Sequence, residues 1–232
     1  MLSHFEYSNI GGCDKNDDSV GAAVKADNGV FVVADGLGGH RFGDVASKFV
    51  VGGFLECDID TASKLETVFR GAQLGLIKLH GEYPGARTTA AVLAINGGQA
   101  IWGHVGDSRL YYFSGGRLAA FTADQSVSYK KYSGGQITHN EIAQDEDRSS
   151  LLCVLGGDRS EPNISGEIPL SPGDAFLLCT DGFWEYLNDE ELLIDLLKSD
   201  TPRRWAEYML LRHIRRTRRG NDNFSLITVF VG

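Results

Sequence analysis

The sequence has 232 residues, 42% of them hydrophobic, and a formal net charge of −9 at pH 7. A chain of this length can bury a substantial core and is most simply a single domain over residues 1–232. The acidic balance disfavours nucleic acid and anionic membranes as partners, and we expect a cytoplasmic protein because neither a charged-then-apolar leader nor a transmembrane run is recognisable.

Apolar runs of strand type recur along the chain and are separated by turn sequences. Asp27-Asn28-Gly29 and Asn96-Gly97-Gly98 each join two such runs, and turns this short are typical of antiparallel hairpins. The predicted strands are residues 20–26, 30–34, 89–95, 100–105, 110–113, 175–179 and 224–231.

Helical periodicity occurs in two paired blocks. They are 44–56 with 61–80, and 189–198 with 202–218. Strands and helices therefore come in runs instead of alternating, which favours a layered α+β fold over a doubly wound parallel sheet. Residues 126–150 are polar, charged and weakly periodic, and we expect a mobile flap there above the functional site.

The last predicted helix is rich in arginine. Residues 203–219 contain seven arginines and one acidic residue, Glu207. A solvated helix face that offsets the acidity of the protein is the favoured interpretation, and a docking surface for a phosphorylated or acidic partner is the alternative.

Four aspartates share one local pattern. Asp35, Asp107, Asp181 and Asp222 each stand at or beside the end of an apolar run and next to glycine or asparagine, and an Asn16-Asp17-Asp18 cluster precedes the first predicted strand. One such aspartate is typical of a turn. If the strands pair, however, four strand ends can converge on a carboxylate-rich pocket, which is the ligand set of Mg²⁺ or Mn²⁺.

Such a pocket has a characteristic chemistry. Gly36, which follows Asp35, has no side chain to keep its carbonyl away from an ion. Two ions about 3.5–4 Å apart would lower the pKa of a bridging water and hold the attacking and leaving oxygens of an in-line displacement at phosphorus. The pattern therefore predicts phosphoester hydrolysis by a metal-activated water, without a covalent enzyme intermediate.

Seven segments, in this order, resemble the metal-dependent serine/threonine protein phosphatases of the type 2C (PPM) family, in its bacterial form. The resemblance runs from about Asn9 to the C-terminus and implies a four-layer α-β-β-α sandwich, with two antiparallel sheets between helix pairs and the metal centre at one edge. The segments are NDDSVG (16–21), VVADGLGGH (32–40), GHVGDSRLYYF (103–113), TADQS (122–126), SSLLCVLGGD (149–158), LLCTDGFWEYL (177–187) and NDNFSLITV (221–229).

The resemblance implies a bridging ligand and a second-metal side. Asp35 would bridge both ions, with the Gly36 carbonyl and the Asp17-Asp18 pair on the side of the second metal, directly or through water. Phosphoserine and phosphothreonine in proteins would be the substrates, and a cognate serine/threonine kinase or its targets the natural partners.

The remaining ligands would belong to the first metal and to a third, weaker one. Asp181 and Asp222 would complete the first site, and Asp107 would share the third with Asp181. The DGLGGH form, with His40 after the glycines, is closer to bacterial than to animal members.

Three further residues are predicted to support the ligands. His40 is interpreted as a supporting group because the carboxylates suffice as ligands. His104 is either a satisfied strand histidine or a hydrogen-bond partner of the metal water, and Arg109 is expected to orient carboxylates through a salt bridge.

Three departures from the family pattern concern the substrate and the leaving group. Cys13 occupies the position of the arginine that usually grips the phosphate, and a thiol cannot form the bidentate contact of a guanidinium. Leu37 stands where animal members carry a histidine proposed as general acid. Asp17 replaces the more usual Glu or Gln and is shorter by one methylene.

Two alternative functions stay open. A phosphoprotein-binding relative of the same fold, inactive or weakly active, would be consistent with Cys13. More remotely, Cys153 and Arg159 in CVLGGDRS match the spacing of the phosphate loop of cysteine-dependent phosphatases, although Leu152 replaces the usual preceding histidine and Asp158 places a carboxylate in that loop.

Overall fold

The computed structural model describes residues 1–37 and 42–232, and its strands form two antiparallel sheets. The five-stranded sheet joins the two ends of the chain, because the first and last strands pair along their whole length, from Leu2 opposite Val231 to Asn9 opposite Phe224. Its strand order is β1 (Leu2–Asn9), β11 (Phe224–Val231), β10 (Ala175–Cys179), β6 (Arg109–Ser114) and β7 (Arg117–Phe121).

The six-stranded sheet is built mainly from consecutive hairpins. Its central strand reads AAVLAIN, and all of its residues except the last are buried, as expected for a strand covered on both faces. The order is β2 (Asp18–Lys25), β3 (Asn28–Asp35), β4 (Ala90–Asn96), β5 (Gln99–Val105) and β8 (Asn163–Ile164), with β9 (Ile168–Pro169) also paired to β5.

The described residues form six α-helices, which accompany the sheets. In two of the longest, a threonine immediately before the helix accepts a hydrogen bond from a backbone N–H in the first turn: Thr61 from Lys64, and Thr201 from Arg204. The helices are α1 (Gly43–Leu55), α2 (Ala62–Leu79), α3 (Val127–Ser133), α4 (Asp181–Trp184), α5 (Asp189–Leu197) and α6 (Pro202–Arg216).

Three apolar layers hold the fold together. Val50 of α1 and Phe69 of α2 pack on the outer face of the six-stranded sheet, and Trp205 of α6 packs on the outer face of the five-stranded sheet. Between the sheets, Trp102 and Phe176 contact each other with ring centroids 6.3 Å apart. The layers therefore follow the order α-β-β-α, which confirms the predicted fold.

The predicted strands and helices are all present, with ends that differ by at most a few residues. The elements that were not predicted are the short ones β8, β9, α3 and α4, together with β1 and β7. Neither β1 nor β7 has the continuous apolar run of a strand covered on two faces, since each leaves more than one residue exposed. No helix within residues 1–37 and 42–232 has the length and apolar character needed to cross a membrane.

The segment 126–150 is more ordered than its sequence suggested. It contains α3 and a 3₁₀ turn at His139–Gln144, and Ile142 in that turn is only 1% exposed. Lys131 Nζ lies 2.9 Å from Asp145 Oδ1 and ties the two parts together. A few apolar side chains therefore anchor a largely polar stretch to the five-stranded side, and the mobility expected of the flap stays a prediction.

Most arginines of α6 form ion pairs with acidic side chains of the same chain. Arg203 and Arg204 contact Glu207, while Arg212 and Arg216 contact Glu191 of α5. These pairs tie α6 to its own turn and to the neighbouring helix, as the helix-face interpretation predicts.

Candidate metal centre

Asp35 lies at the end of β3 and its backbone is fixed from a neighbouring segment. Its N–H donates to Thr89 Oγ1 (3.0 Å), and its carbonyl accepts from Thr88 Oγ1 (2.7 Å) and from the Thr89 N–H (2.8 Å). Residues 31–34 before it are fully buried. The rigid strand therefore delivers the Asp35 carboxylate to one edge of the sheet.

Asp18 is the residue directly opposite Asp35 across the β2–β3 pair. Its side chain is 6% exposed, and Oδ2 accepts a hydrogen bond from Thr180 Oγ1 at 2.9 Å. Its other oxygen, Oδ1, is buried without a partner. Thr180 directly follows β10 of the other sheet, so this contact links the edges of the two sheets at the site.

Asp181 begins helix α4, at the end of β10. Its Oδ1 accepts from the Gly182 N–H (2.7 Å), and the Gly182 carbonyl accepts from Nε2 of His213, a fully buried histidine of α6. The first turn of α4, which carries Asp181, is therefore fixed by a hydrogen bond from α6.

Asp107 follows β5 and is 3% exposed, with Oδ1 buried and without a hydrogen-bond partner. Its backbone carbonyl accepts from the Trp184 indole at 3.0 Å. Because a buried carboxylate oxygen without a donor is unfavourable, this position suits a cation.

Asp222 lies on the exposed rim just before β11. Its Oδ1 accepts from the Asn223 N–H at 2.8 Å, and Cys13 Sγ lies 3.6 Å from the same oxygen. Burial and the Asp222 carboxylate raise the pKa of the Cys13 thiol above its ordinary value, so this thiol stays protonated near neutral pH.

Burial and neighbouring charges raise the pKa values of the clustered carboxyls. Burial, followed by the charge of Asp181, raises the pKa of both Asp35 and Asp107 well above the usual range. Burial likewise raises the pKa of Asp181, and that of Asp18 to about 7. Without a cation, this set therefore holds protons that ordinary aspartates would have lost.

A cleft of about 390 Å³ opens onto these carboxylates. Four of the predicted aspartates (Asp35, Asp107, Asp181 and Asp222) line it, together with Gly36, Leu37, Arg87, Ser149, Leu151, Val154 and Asn223. Four carboxylates are thus among its lining residues, and carboxylate oxygen is the donor type that Mg²⁺ and Mn²⁺ prefer.

The residues fit a divalent ion by donor type and by their unpaired oxygens. Oδ1 of Asp18 and Oδ1 of Asp107 are both buried without hydrogen-bond partners. In the part of the chain that the structure describes, no three His, Cys, Asp or Glu side chains meet the geometry of a formed metal site.

Asp17 and Asp18 have different surroundings, because β2 begins at Asp18. Asp18 joins the carboxylate cluster, whereas Lys15 Nζ lies 3.4 Å from Asp17 Oδ1. The Asp17 carbonyl accepts from the Gly36 N–H (3.1 Å), and a Cβ on Gly36 would lie 2.6 Å from that carbonyl oxygen and 2.2 Å from the Gly43 carbonyl oxygen. Only glycine therefore fits after Asp35, for backbone packing as well as for any approach to an ion.

The two predicted supporting residues that the structure describes have other partners. Nε2 of buried His104 donates to the Ala123 carbonyl at 2.8 Å, as a satisfied strand histidine does, and not toward the metal site. Arg109 forms a buried bidentate pair with Asp124, at 2.8 and 2.6 Å. His104 is therefore the satisfied strand histidine, the first of its two interpretations. The salt bridge expected of Arg109 goes to Asp124 and not to a proposed metal ligand, and the sequence could not show that Asp124 is nearer. His40 lies outside the described residues.

Arg109 still reaches the site indirectly. Its guanidinium carbon lies 3.5 Å from the centre of the Trp184 ring, and the Trp184 indole holds the Asp107 carbonyl. Asp124, Arg109, Trp184 and Asp107 thus form one continuous set of contacts from the core to the cleft.

The cysteine-phosphatase alternative is not supported by the geometry. Cys153 Sγ lies 3.9 Å from Glu161 Oε2, and burial together with that carboxylate raises the pKa of the thiol instead of lowering it. In addition, the Gly156 N–H donates to Gln73 Oε1 and the Gly157 N–H to the Val154 carbonyl. Backbone donors that would have to hold a phosphate are therefore already used.

Several residues that shape the site were not predicted from the sequence. Thr88 precedes a predicted strand and Thr89 begins it, while Thr180 immediately precedes Asp181, so hydroxyls near strand ends and beside the aspartates were a usable signal. The sequence offered no such signal for Arg87 and His213, because an arginine in a loop and a histidine in an amphipathic helix are ordinary features.

Comparison with known proteins agrees with this fold and identifies the family. Residues 7–210 match the family model described as Protein phosphatase 2C, which is most of the chain. The chain therefore belongs to the Protein phosphatase 2C family.

Among curated relatives, the protein phosphatase PhpP of Streptococcus pneumoniae is 32% identical over 199 residues, which cover 81% of this chain and 80% of PhpP. The serine/threonine protein phosphatase PstP of Mycobacterium tuberculosis is 30% identical over 186 residues, which cover 77% of this chain but only 35% of PstP. The chain thus spans about a third of the length of the mycobacterial relative.

Among solved structures, the catalytic domain of PstP in complex with two manganese ions superposes with a TM-score of 0.84 at 26% identity. The superposition covers 99% of this chain and 97% of that one. The two-sheet sandwich is therefore shared over essentially the whole catalytic domain of that protein.

Proposed function

We propose that this chain hydrolyses phosphoserine and phosphothreonine monoesters on proteins, at a centre that holds two Mg²⁺ or Mn²⁺ ions. The observation that carries the proposal is the convergence of Asp35, Asp107, Asp181 and Asp222 on one cleft, with Asp18 directly opposite Asp35 and with buried oxygens of Asp18 and Asp107 that lack partners. Family membership and the manganese-bound PstP structure support it.

In this proposal Asp35 would be the shared ligand of both ions, because Asp18, directly opposite it, and Asp181 are both close enough for their charges to raise the pKa of its carboxyl. The Gly36 carbonyl and the Asp17-Asp18 pair serve the second ion, while Asp181 and Asp222 complete the first. Asp107, with Asp181, is placed to hold a third, weaker ion. The residues Asp35, Asp181 and Asp222 therefore carry the reaction.

When bound, the ions would activate a water for attack on phosphorus and neutralise the charge that develops there. The chain itself fixes the geometry, since Thr88 and Thr89 lock the Asp35 backbone and Thr180 orients Asp18. Leu37 offers no proton to the leaving alkoxide, so that proton comes from another group at the site.

The substrates proposed are phosphorylated proteins, with a cognate serine/threonine kinase as partner in the cytoplasm. The flap, residues 126–150, contributes to substrate choice, because Ser149 at its end and the adjoining Leu151 line the cleft. A non-catalytic phosphoprotein-binding role is the competing function, and its motivating observation is Cys13 at the rim.

Turnover of p-nitrophenyl phosphate and of a phosphothreonine peptide, measured with Mn²⁺ and with EDTA, tests the proposal. We expect Mn²⁺-dependent hydrolysis that EDTA abolishes, and a loss of at least about 100-fold in Asp35→Asn. Asp200→Asn, at an exposed carboxylate outside the cleft, is the matched control and should behave as wild type. Peptide binding without any Mn²⁺-dependent turnover would instead support the binding module.

A further inference from the structure

A cationic side chain faces the carboxylate cleft. Among the described residues that line it, Arg87 alone has a cationic side chain. Its Nε is buried and has no hydrogen-bond partner. Within the described ranges Arg87 also forms no ion pair with an acidic side chain.

The backbone at Arg87 is held on both sides, so the side chain starts from a fixed point. The Arg87 carbonyl accepts from the Leu37 N–H at 3.1 Å, beside the Asp35-Gly36 strand end. The next residue, Thr88, exchanges backbone hydrogen bonds with Leu155 (3.1 and 2.9 Å) and donates its hydroxyl to the Asp35 carbonyl. The backbone of Arg87 is therefore hydrogen-bonded directly to the segment after β3, which follows the proposed bridging ligand Asp35.

Neutralising the aspartates is not what the guanidinium does in this structure. An arginine that served that purpose would pair with a carboxylate, as Arg109 does with Asp124 at 2.6 Å. Arg87 instead keeps a buried donor without an acceptor, which is unfavourable unless a ligand oxygen supplies one. A guanidinium fork beside a cationic metal pair is suited to an oxyanion that both can contact.

We propose that Arg87 binds the phosphate group of the substrate and replaces the arginine that is absent at position 13. The proposal rests on the proposed function, since it names the residue that holds the phosphate at that same site. The ligand is a phosphate monoester dianion, whose oxygens can accept two N–H bonds from Arg87 while others face the metal side.

Arg87 contacts the phosphate from a different side of the cleft than an arginine at position 13 would. Cys13 lies against Asp222 and the Asn221 carbonyl, near the start of β11. Arg87 enters beside Leu37, at the end of β3. An arginine at either position could therefore reach a phosphate without displacing the other.

Isothermal titration of inorganic phosphate into the Mn²⁺-loaded protein measures the contact without turnover. We expect Arg87→Met to weaken phosphate binding by at least about 10-fold, with Arg87→Lys intermediate because it keeps the charge but loses the fork. Mn²⁺ affinity and the melting temperature should stay within error of wild type. Arg70→Met, at an exposed arginine paired with Glu66 on α2, is the control and should bind phosphate normally.

Steady-state kinetics and a rescue complete the test. Arg87→Met should raise KM for p-nitrophenyl phosphate more than it lowers kcat, and Cys13→Arg in the same background should restore phosphate affinity. Unchanged phosphate affinity in Arg87→Met, or a loss of Mn²⁺ binding that accounts for the whole effect, would overturn the proposal. Absence of turnover in the wild type, with phosphate binding still dependent on Arg87, would defeat only the proposed function.

Discussion

Asp18 and Asp35 stand directly opposite each other across the β2–β3 pair. Like charges at such a position destabilise a sheet, and burial strengthens their repulsion. The pKa of Asp18 is raised to about 7 by burial, which Asp181 and Asp222 reinforce, and that of Asp35 is raised by burial and by Asp181 and Asp18. The fold therefore accepts a local instability at the point where a divalent ion would relieve it.

Removal of metal should consequently destabilise the protein. We expect Mn²⁺ to raise the melting temperature and EDTA to reverse the increase, because the ion replaces proton sharing among the carboxylates. In EDTA, Asp35→Asn should be more stable than wild type by roughly 1–2 kcal/mol, or several degrees in Tm. A variant that is less stable than wild type without metal, measured by calorimetry, would contradict this account.

The Arg109–Asp124 pair should be a major determinant of stability. Both side chains are nearly inaccessible, and removing one partner leaves a buried charge uncompensated. We expect Asp124→Asn to lower the free energy of unfolding by about 3–5 kcal/mol in urea titrations. Arg70→Met, which breaks an exposed i,i+4 pair, should change it by less than about 0.5 kcal/mol.

The sequence was informative about the fold and the aspartates for the same reason. Asp35 and Asp181 follow runs such as VFVVA and AFLLC that can only be strands buried on both faces, so strand pairing had to bring their ends together. The partners of Arg109 and His104 depend on which neighbouring segment approaches, and short-range pattern does not encode that. Arg87 was missed because its significance lies in a cleft formed by residues far apart in the chain.

His213 should make stability depend on pH. It is fully buried, its Nε2 donates to the Gly182 carbonyl, and its Nδ1 has no partner. Burial lowers its pKa below the ordinary 6.5, so below about pH 6.5 the unfolded chain binds a proton that the folded protein does not. Stability from this residue is therefore present at higher pH and lost as the pH falls.

The comparison of wild type with His213→Gln isolates this contribution, since groups common to both proteins cancel. Between pH 8 and pH 5.5 we expect wild type to lose up to about 1.4 kcal/mol more than the variant. Urea titrations at the two pH values measure the difference. An equal loss in both proteins would show that His213 accepts a proton in the folded state.

Alkylation and chelation should have opposite consequences for activity. The Cys153 thiol lies beside Glu161, and burial and that carboxylate raise its pKa, so it is a poor nucleophile near pH 7. We expect iodoacetamide at neutral pH to leave most activity intact and EDTA to remove it. Inhibition by alkylation that Cys153→Ser prevents, together with insensitivity to EDTA, would restore the cysteine mechanism.

Thr180 should control the metal affinity through Asp18. Its hydroxyl donates to Asp18 Oδ2 (2.9 Å) and accepts from the Ser225 N–H (3.0 Å), so one group orients a proposed ligand and satisfies the adjoining strand. Thr180→Val keeps the shape but removes both hydrogen bonds. We expect a loss of about 1–3 kcal/mol in stability and of roughly 10-fold or more in Mn²⁺ affinity, measured by titration calorimetry. Thr180→Ser retains the hydroxyl and should preserve most of the affinity, whereas equal weakening in both variants would assign the effect to the lost methyl group and not to the hydrogen bond.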